Sequence, residues 1–201
     1  MQAFIHGVIL AIGLILPLGV QNLFVFNQGV TQPSFFRALP AIITASMCDT
    51  LLILISVHGI SLLLLSFGFL KIIMAAFGAV FLCYIGWLTW NNTAVNNDRD
   101  KKSLSSKQQI IFAVTVSLLN PHAILDTIGV IGTSSVNYQG DDKLLFTAAC
   151  IIISWAWFFF LAILGRGLGS QNWFIQYYEV INRFSAILIW GSAVYIVLTM
   201  L

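Results

Sequence analysis

The sequence predicts an all-α, polytopic membrane protein with six transmembrane helices arranged as two inverted three-helix repeats. Three observations carry this prediction: 59% of residues are hydrophobic and 8% are charged, six apolar runs have membrane-spanning length, and each half holds a proline break followed by polar residues. An average soluble domain is about 25% charged. A soluble chain of 201 residues could not hide so much apolar surface, because surface area still dominates at this size.

A span needs roughly 20 mainly apolar residues to cross a hydrocarbon core of about 30 Å. Residues 3–26, 38–58, 69–90, 110–133, 144–164 and 184–201 meet that requirement. The first run has no preceding Lys or Arg, so it reads as a retained helix and not as a cleaved signal peptide. Leu16-Pro17-Leu18-Gly19 interrupts it, and Gln21 and Asn22 follow the break. The second run carries Cys48-Asp49 and is followed by a short apolar stretch, 60–65, with a turn expected near Phe67-Gly68. Residues 91–109 form the one long polar linker, with Asp98, Arg99, Asp100, Lys101, Lys102 and Lys107; it reads as a mobile cytoplasmic loop between a first repeat, 1–90, and a second, 110–201. Leu119-Asn120-Pro121 interrupts the fourth run ahead of His122 and Asp126, and the fifth holds Cys150 and Ser154. Three helices per half reverse the second half relative to the first, as in transporters built from inverted repeats.

Cytoplasmic loops hold the excess of Lys and Arg. With six spans, Arg37, Arg99, Lys101, Lys102, Lys107, Arg166 and Arg183 share one side, and Lys71 and Lys143 the other. Both termini are therefore expected outside and the linker inside.

Asp49 and Asp126 are the two acids expected at membrane depth. A charge at the bilayer centre costs about 2.5–3.5 kcal/mol on insertion scales, so such acids face a cavity or a partner. Asp49 is expected to share a helix face with Ser46 and Ser56, and Asp126 with His122, Gly129 and Thr133. The blander reading of either acid is a fixed pair with a cation such as Lys71 or a bond to a neighbouring helix. Pro17 and Pro121 each remove an amide donor. Unpaired backbone is tolerated in a membrane only where it lines a cavity or packs on protein, and the helix N-terminus beyond a break suits an anionic group. Prolines in membrane helices also often do no more than kink them.

Other features read as structural. Trp87, Trp90, Trp173, Trp190, Tyr177 and Tyr178 are expected at the membrane interface, as are His6 and His58. Trp155, Trp157 and Phe158 to Phe160 read as packing or lipid-facing residues, and Gly165-Arg166-Gly167-Leu168-Gly169 as a stretch too peripheral for a helix-pairing motif. All three cysteines lie inside apolar runs, so no disulfide framework is implied. No basic stripe for nucleic acid, hydrolase triad, nucleotide loop, metal motif or cofactor motif is present. Enzymes and nucleic-acid binders are thereby disfavoured.

Pro17-Leu18-Gly19-Val20-Gln21-Asn22, Gln28-Gly29, Cys48-Asp49 and Leu119-Asn120-Pro121-His122-Ala123-Ile124-Leu125-Asp126-Thr127 resemble the LysE family of exporters, as does the ending with Arg166, Trp173, Ile181-Asn182 and Trp190. The likeness runs from the first helix to the last. It is nearer the arginine and lysine exporters than the neutral amino-acid exporters, whose first helix typically reads Pro-Gly-Pro. The first loop, Thr31 to Arg37, lacks the denser basic cluster associated with the family. The resemblance implies efflux of L-arginine or L-lysine through a multi-pass protein of the bacterial inner membrane, with Asp49 and Asp126 as the functional acids.

The expected mechanism places the cationic side chain of the passenger on Asp49 or Asp126 and its carboxylate at a broken helix, with Gln21, Asn22, Asn120 and His122 nearby. Exchange for a proton would cancel the electrical cost of exporting a cation. A homodimer is a candidate assembly. Two rivals are a thiol-redox conduit through Cys48 and Cys150 and, ranked second overall, a divalent-cation exporter using the paired acids with His122.

Overall fold

The computed structural model describes residues 1–15, 19–58, 103–118, 123–124 and 127–169, together with positions 76, 79–80, 82–84, 86–87, 90–91, 180, 183–184, 186–187, 189–191, 193–194 and 197–198. Every described element is helical: α1 (Gln2–Ile15), α2 (Val20–Thr31), α3 (Phe35–Val57), α4 (Ser106–Leu118), a π-helical segment (Thr127–Gly132) running into one turn (Thr133–Ser135), and α5 (Gly140–Gly169). By length and composition, α3 and α5 are each able to cross a membrane, and α1 and α2, bent 79° apart, can do so as a broken pair. At 1.5 Å per residue α3 is about 35 Å long and α5 about 45 Å. The expected spans 69–90 and 184–201 are described only at scattered positions, and those positions are helical.

Local chemistry explains where the helices start. Gly140 has φ +54°, a left-handed conformation that glycine adopts without a Cβ penalty, and it turns the chain into α5. Asp141 and Asp142 occupy the first turn of α5 and Arg166 the last, signs that complement the helix dipole. The linker does not stay irregular as far as residue 109, because α4 already begins at Ser106. Ser105 and Gln108 form a reciprocal cap: Ser105 donates from its backbone N and its Oγ to Gln108 Oε1, both at 3.0 Å, and accepts from Gln108 N at 3.4 Å.

α5 lies alongside both halves of the broken pair and runs in the same direction. Gly7 of α1 faces Phe146 and Ala149, and towards the other end Gly29 of α2 faces Ala162, while Gly165 and Gly169 of α5 face Phe26 and Val30. A Cβ on Gly29 or Gly165 would collide with the facing backbone carbonyl of Ala162 or Phe26. Within the stretch 165–169, Gly165 and Gly169 therefore lie on a helix-packing face inside this chain. Without a hydrophobic driving force in lipid, small residues let the backbones approach closely.

α3 and α4 run opposite to these helices. Val25, Ala38, Ile42, Ala45, Ala113, Phe158 and Ala162 form a core shared by α2, α3, α4 and α5. A second cluster joins Val20 and Val116 to Leu82, Ile189 and Ala193. Trp190 packs on Gly86, donates to the Cys83 carbonyl at 3.2 Å, and stacks on Trp90 at 5.6 Å, with Arg183 5.5 Å above the Trp90 ring. Trp90 and Trp190 are thus partners of each other before they are interface anchors. Trp173, Tyr177 and Tyr178 lie outside the described residues.

A polar network ties the end of the bundle from which α4 starts. Gln32 Nε2 donates to Gln28 Oε1 at 3.1 Å and to the Leu104 carbonyl at 2.9 Å, and Gln109 Nε2 donates to the carbonyls of Arg37 and Leu104 at 2.9 and 3.0 Å. Arg166 donates to the carbonyls of Gln32 and Pro33 at 3.3 and 3.2 Å. The opposite end holds His6, whose Nδ1 lies 2.8 Å from the Tyr138 hydroxyl and whose ring packs on Phe146. His6 is therefore tied to protein, whereas His58 is exposed, its Nδ1 2.8 Å from the Leu54 carbonyl.

Candidate functional site

Asp49 lies in the inner part of α3, about 21 Å from the start of the helix and about 12 Å from its end at 1.5 Å per residue. Two neighbouring helices supply partners for its half-buried carboxylate. Gln21, in the first turn of α2, donates from Nε2 to Oδ1 at 2.9 Å, and Ser154 of α5 donates from Oγ to Oδ2 at 2.8 Å. Both donors are neutral, and among the described residues no cation pairs with Asp49. An ionised carboxylate offers about four acceptor positions, so these two donors leave acceptor positions unused. The expected alternative partner, Lys71, lies outside the described residues.

The neighbouring residues extend this polar centre. Trp155 Nε1 donates to Thr50 Oγ1 at 3.0 Å, and Thr50 Oγ1 donates to the Ser46 carbonyl at 2.8 Å, so an indole is fixed one residue along from each of Asp49 and Ser154. Of the two expectations for Trp155, packing or lipid-facing, the hydrogen bond beside the site fits packing. On the other side of Asp49, the Cys48 thiol meets the Ser117 hydroxyl of α4. Four helices therefore converge at the level of Cys48 and Asp49.

Several expected site residues do something different. Asn22 is buried, and its Nδ2 donates to the Ile15 carbonyl at 2.9 Å, across the break between α1 and α2. The Asn22 amide thus satisfies an acceptor at the end of α1, while no side chain caps the start of α2. Ser46 and Ser56, expected to share a polar face with Asp49, donate to their own helix at Ile42 and Leu52. Gln28 and Gly29 belong to the end network and to the α2–α5 contact. Cys150 packs against the Gly7 carbonyl at 3.6 Å while Cys48 meets Ser117, and both thiols are free.

Pro17, Asn120, Pro121, His122 and Asp126 lie outside the described residues. The segment just beyond Asp126 is π-helical. A π-helix bonds i to i+5, so the α-helical spacing used to align Asp126 with Gly129 and Thr133 does not apply there. Gly129 is half-buried, and Thr133 is exposed, bonding the carbonyls of Gly129 and Val130. The missed member of the site is Ser154. Its signal was present, since a lone serine amid Ile, Trp and Phe at the centre of a span needs a polar partner.

The family model described as "LysE type translocator" matches residues 12–200. The "Putative amino-acid transporter YisU" of Bacillus subtilis (strain 168) is 51% identical over 195 residues, covering 97% of this chain and 89% of that protein. "Arginine exporter protein ArgO" of Pectobacterium carotovorum subsp. carotovorum (strain PC1) is 31% identical over 94% of each chain, and the protein of that name from Klebsiella pneumoniae (strain 342) is 32% identical over 94% of this chain and 90% of its own length. No solved structure matches the chain at a significant level. A family match along nearly the whole chain, on a bundle of membrane-length apolar helices, makes this a membrane protein that belongs to the LysE family of translocators.

Proposed function

We propose that this protein exports basic amino acids, L-arginine first and L-lysine as the second candidate, from the cytoplasm in exchange for protons. The observation that carries the reading is Asp49, a carboxylate in the inner part of a membrane-length helix whose described partners are an amide and a hydroxyl, with no cation. A neutral amino acid needs no net counter-charge, whereas a cationic one does. The similarity to proteins named arginine exporters points the same way.

In this mechanism the passenger's cationic side chain takes the remaining acceptor positions of Asp49. Gln21 and Ser154 hold the carboxylate in place. The passenger's carboxylate faces the uncapped start of α2, where backbone N–H groups carry partial positive charge. Moving a monocation out against an inside-negative potential costs about 2.3 kcal/mol per 100 mV, and an incoming proton cancels that term. A carboxylate that holds either proton or passenger couples the two movements.

The architecture we infer is six spans in two inverted repeats, 1–90 and 110–201, in the bacterial inner membrane. The opposite directions of α3 and α5 support it. Arg37, Lys107 and Arg166 lie at or near the end from which α4 starts, which favours that end for the cytoplasm.

The test compares labelled-arginine efflux from cells making wild type, Asp49→Asn and Asp126→Asn at equal membrane levels. Loss of efflux in the Asp49 variant is expected, and loss in the Asp126 variant would give that acid the same role. Unimpaired efflux by both would overturn the reading. Collapse of the pH gradient should slow wild-type efflux in vesicles, and indifference to it would remove the proton.

A further inference from the structure

The buried hydroxyls of this bundle divide into two groups. Among the described residues, Ser46, Ser56, Ser135 and Thr147 each donate to a carbonyl one turn back on their own chain, at 2.7–2.9 Å. This is the ordinary solution for a hydroxyl on a membrane helix, since it needs no outside partner. Ser154 and Ser117 depart from it. Ser154 gives its proton to Asp49. Ser117 is fully buried on α4, and among the described residues its Oγ makes no hydrogen bond of ordinary geometry. The Ala113 carbonyl, one turn back, goes unused by it. Its hydroxyl instead meets the Cys48 thiol, next to Asp49. A thiol is only a weak donor and acceptor, so this contact does not satisfy the hydroxyl.

Both exceptions therefore sit beside the Cys48–Asp49 pair, Ser117 at Cys48 and Ser154 at Asp49. Leaving a buried hydroxyl unpaired is unfavourable, and the back-bonded alternative was open to it. We infer that Ser117 is a substrate-contact residue, its hydroxyl kept unpaired so that it can hydrogen-bond the polar head of a cationic amino acid held by Asp49. This deepens the proposed function and rests on it. Ser117 can accept from a guanidinium or ammonium N–H, or donate to the passenger's carboxylate. In either case the site becomes three-sided, with Gln21 and Ser154 fixing Asp49 from α2 and α5 and Ser117 reaching the passenger from α4.

The experiment measures KM and turnover for arginine efflux in proteoliposomes, and thermal stability in detergent, for wild type, Ser117→Ala, Ser117→Thr and the control Ser56→Ala. For Ser117→Ala, KM should rise roughly 10- to 150-fold, the range for a lost hydrogen bond to a charged group. Turnover should change little and melting temperature should hold or rise, because an unpaired hydroxyl has been removed. Ser117→Thr keeps the hydroxyl and should recover most of the affinity. Ser56→Ala should leave KM unchanged. A Ser117→Ala KM within twofold of wild type overturns the inference, as does a rise matched by Ser56→Ala. Wild-type protein that moves neither arginine nor lysine would remove the proposed function and this inference together. Wild-type transport with an unaffected Ser117→Ala removes only the role of Ser117.

Discussion

Among the described residues, Asp49 is stabilised by two neutral hydrogen bonds. Its placement costs about 2.5–3.5 kcal/mol on insertion scales, and a hydrogen bond to a charged group contributes about 1.5–3 kcal/mol. Two such bonds offset the insertion cost without neutralising the charge. Asp49→Asn keeps the shape but removes the charge, so arginine efflux should fall at least about tenfold, measured with labelled substrate at matched expression. Ser154→Ala should lower stability by about 1–3 kcal/mol, seen as a reduced melting temperature, and should raise KM by loosening the carboxylate. Gln21 and Asp49 were both legible as polar residues in apolar runs, but their pairing was not, because helical periodicity gives a face and not a partner. The bond from Asn22 to Ile15 was hidden for the same reason, since a place beside a proline break fits a ligand and a backbone cap equally well.

Among the helices, the α2–α5 crossing is the contact most sensitive to added volume. Gly165→Ala must push α5 away from the Phe26 carbonyl, whereas Gly167, two residues along, has nothing within 4 Å of its would-be Cβ. Gly165→Ala should therefore destabilise by about 1–3 kcal/mol, the usual range for overpacking, while Gly167→Ala leaves the melting temperature unchanged. Equal effects from the two would contradict the packing described. Gln109 is nearly fully buried and ties α4 to the start of α3 through the Arg37 carbonyl. Replacing it by Leu should cost about 1–3 kcal/mol through orphaned polar groups, read in the same melt. The long apolar helices were visible from composition. The π-helical turn after Asp126 was not, because an added residue per turn leaves no mark in an apolar sequence. The five-residue glycine stretch was dismissed for its position along the chain, yet two of its glycines fall on the face that meets α2.

For the molecule as a whole, the all-helical membrane class followed from 59% hydrophobic content and 8% charge, and the family match agrees with the resemblance carried by the motifs around Pro17, Asp49 and Asp126. Sidedness is a separate matter, which basic residues alone suggested. A cysteine introduced at position 103 in a variant lacking native cysteines should react with a membrane-impermeant thiol reagent in inside-out vesicles and not in intact cells. The reverse pattern would invert the proposed direction of transport. The most direct test of the central claim is arginine binding to purified wild type and Asp49→Asn by titration calorimetry, with leucine as the neutral control. Saturable arginine binding by wild type, at least about tenfold weaker in the variant and absent for leucine, is the predicted result. Equal arginine affinity in the two proteins would contradict the claim that the Asp49 carboxylate is held ready for a positively charged passenger.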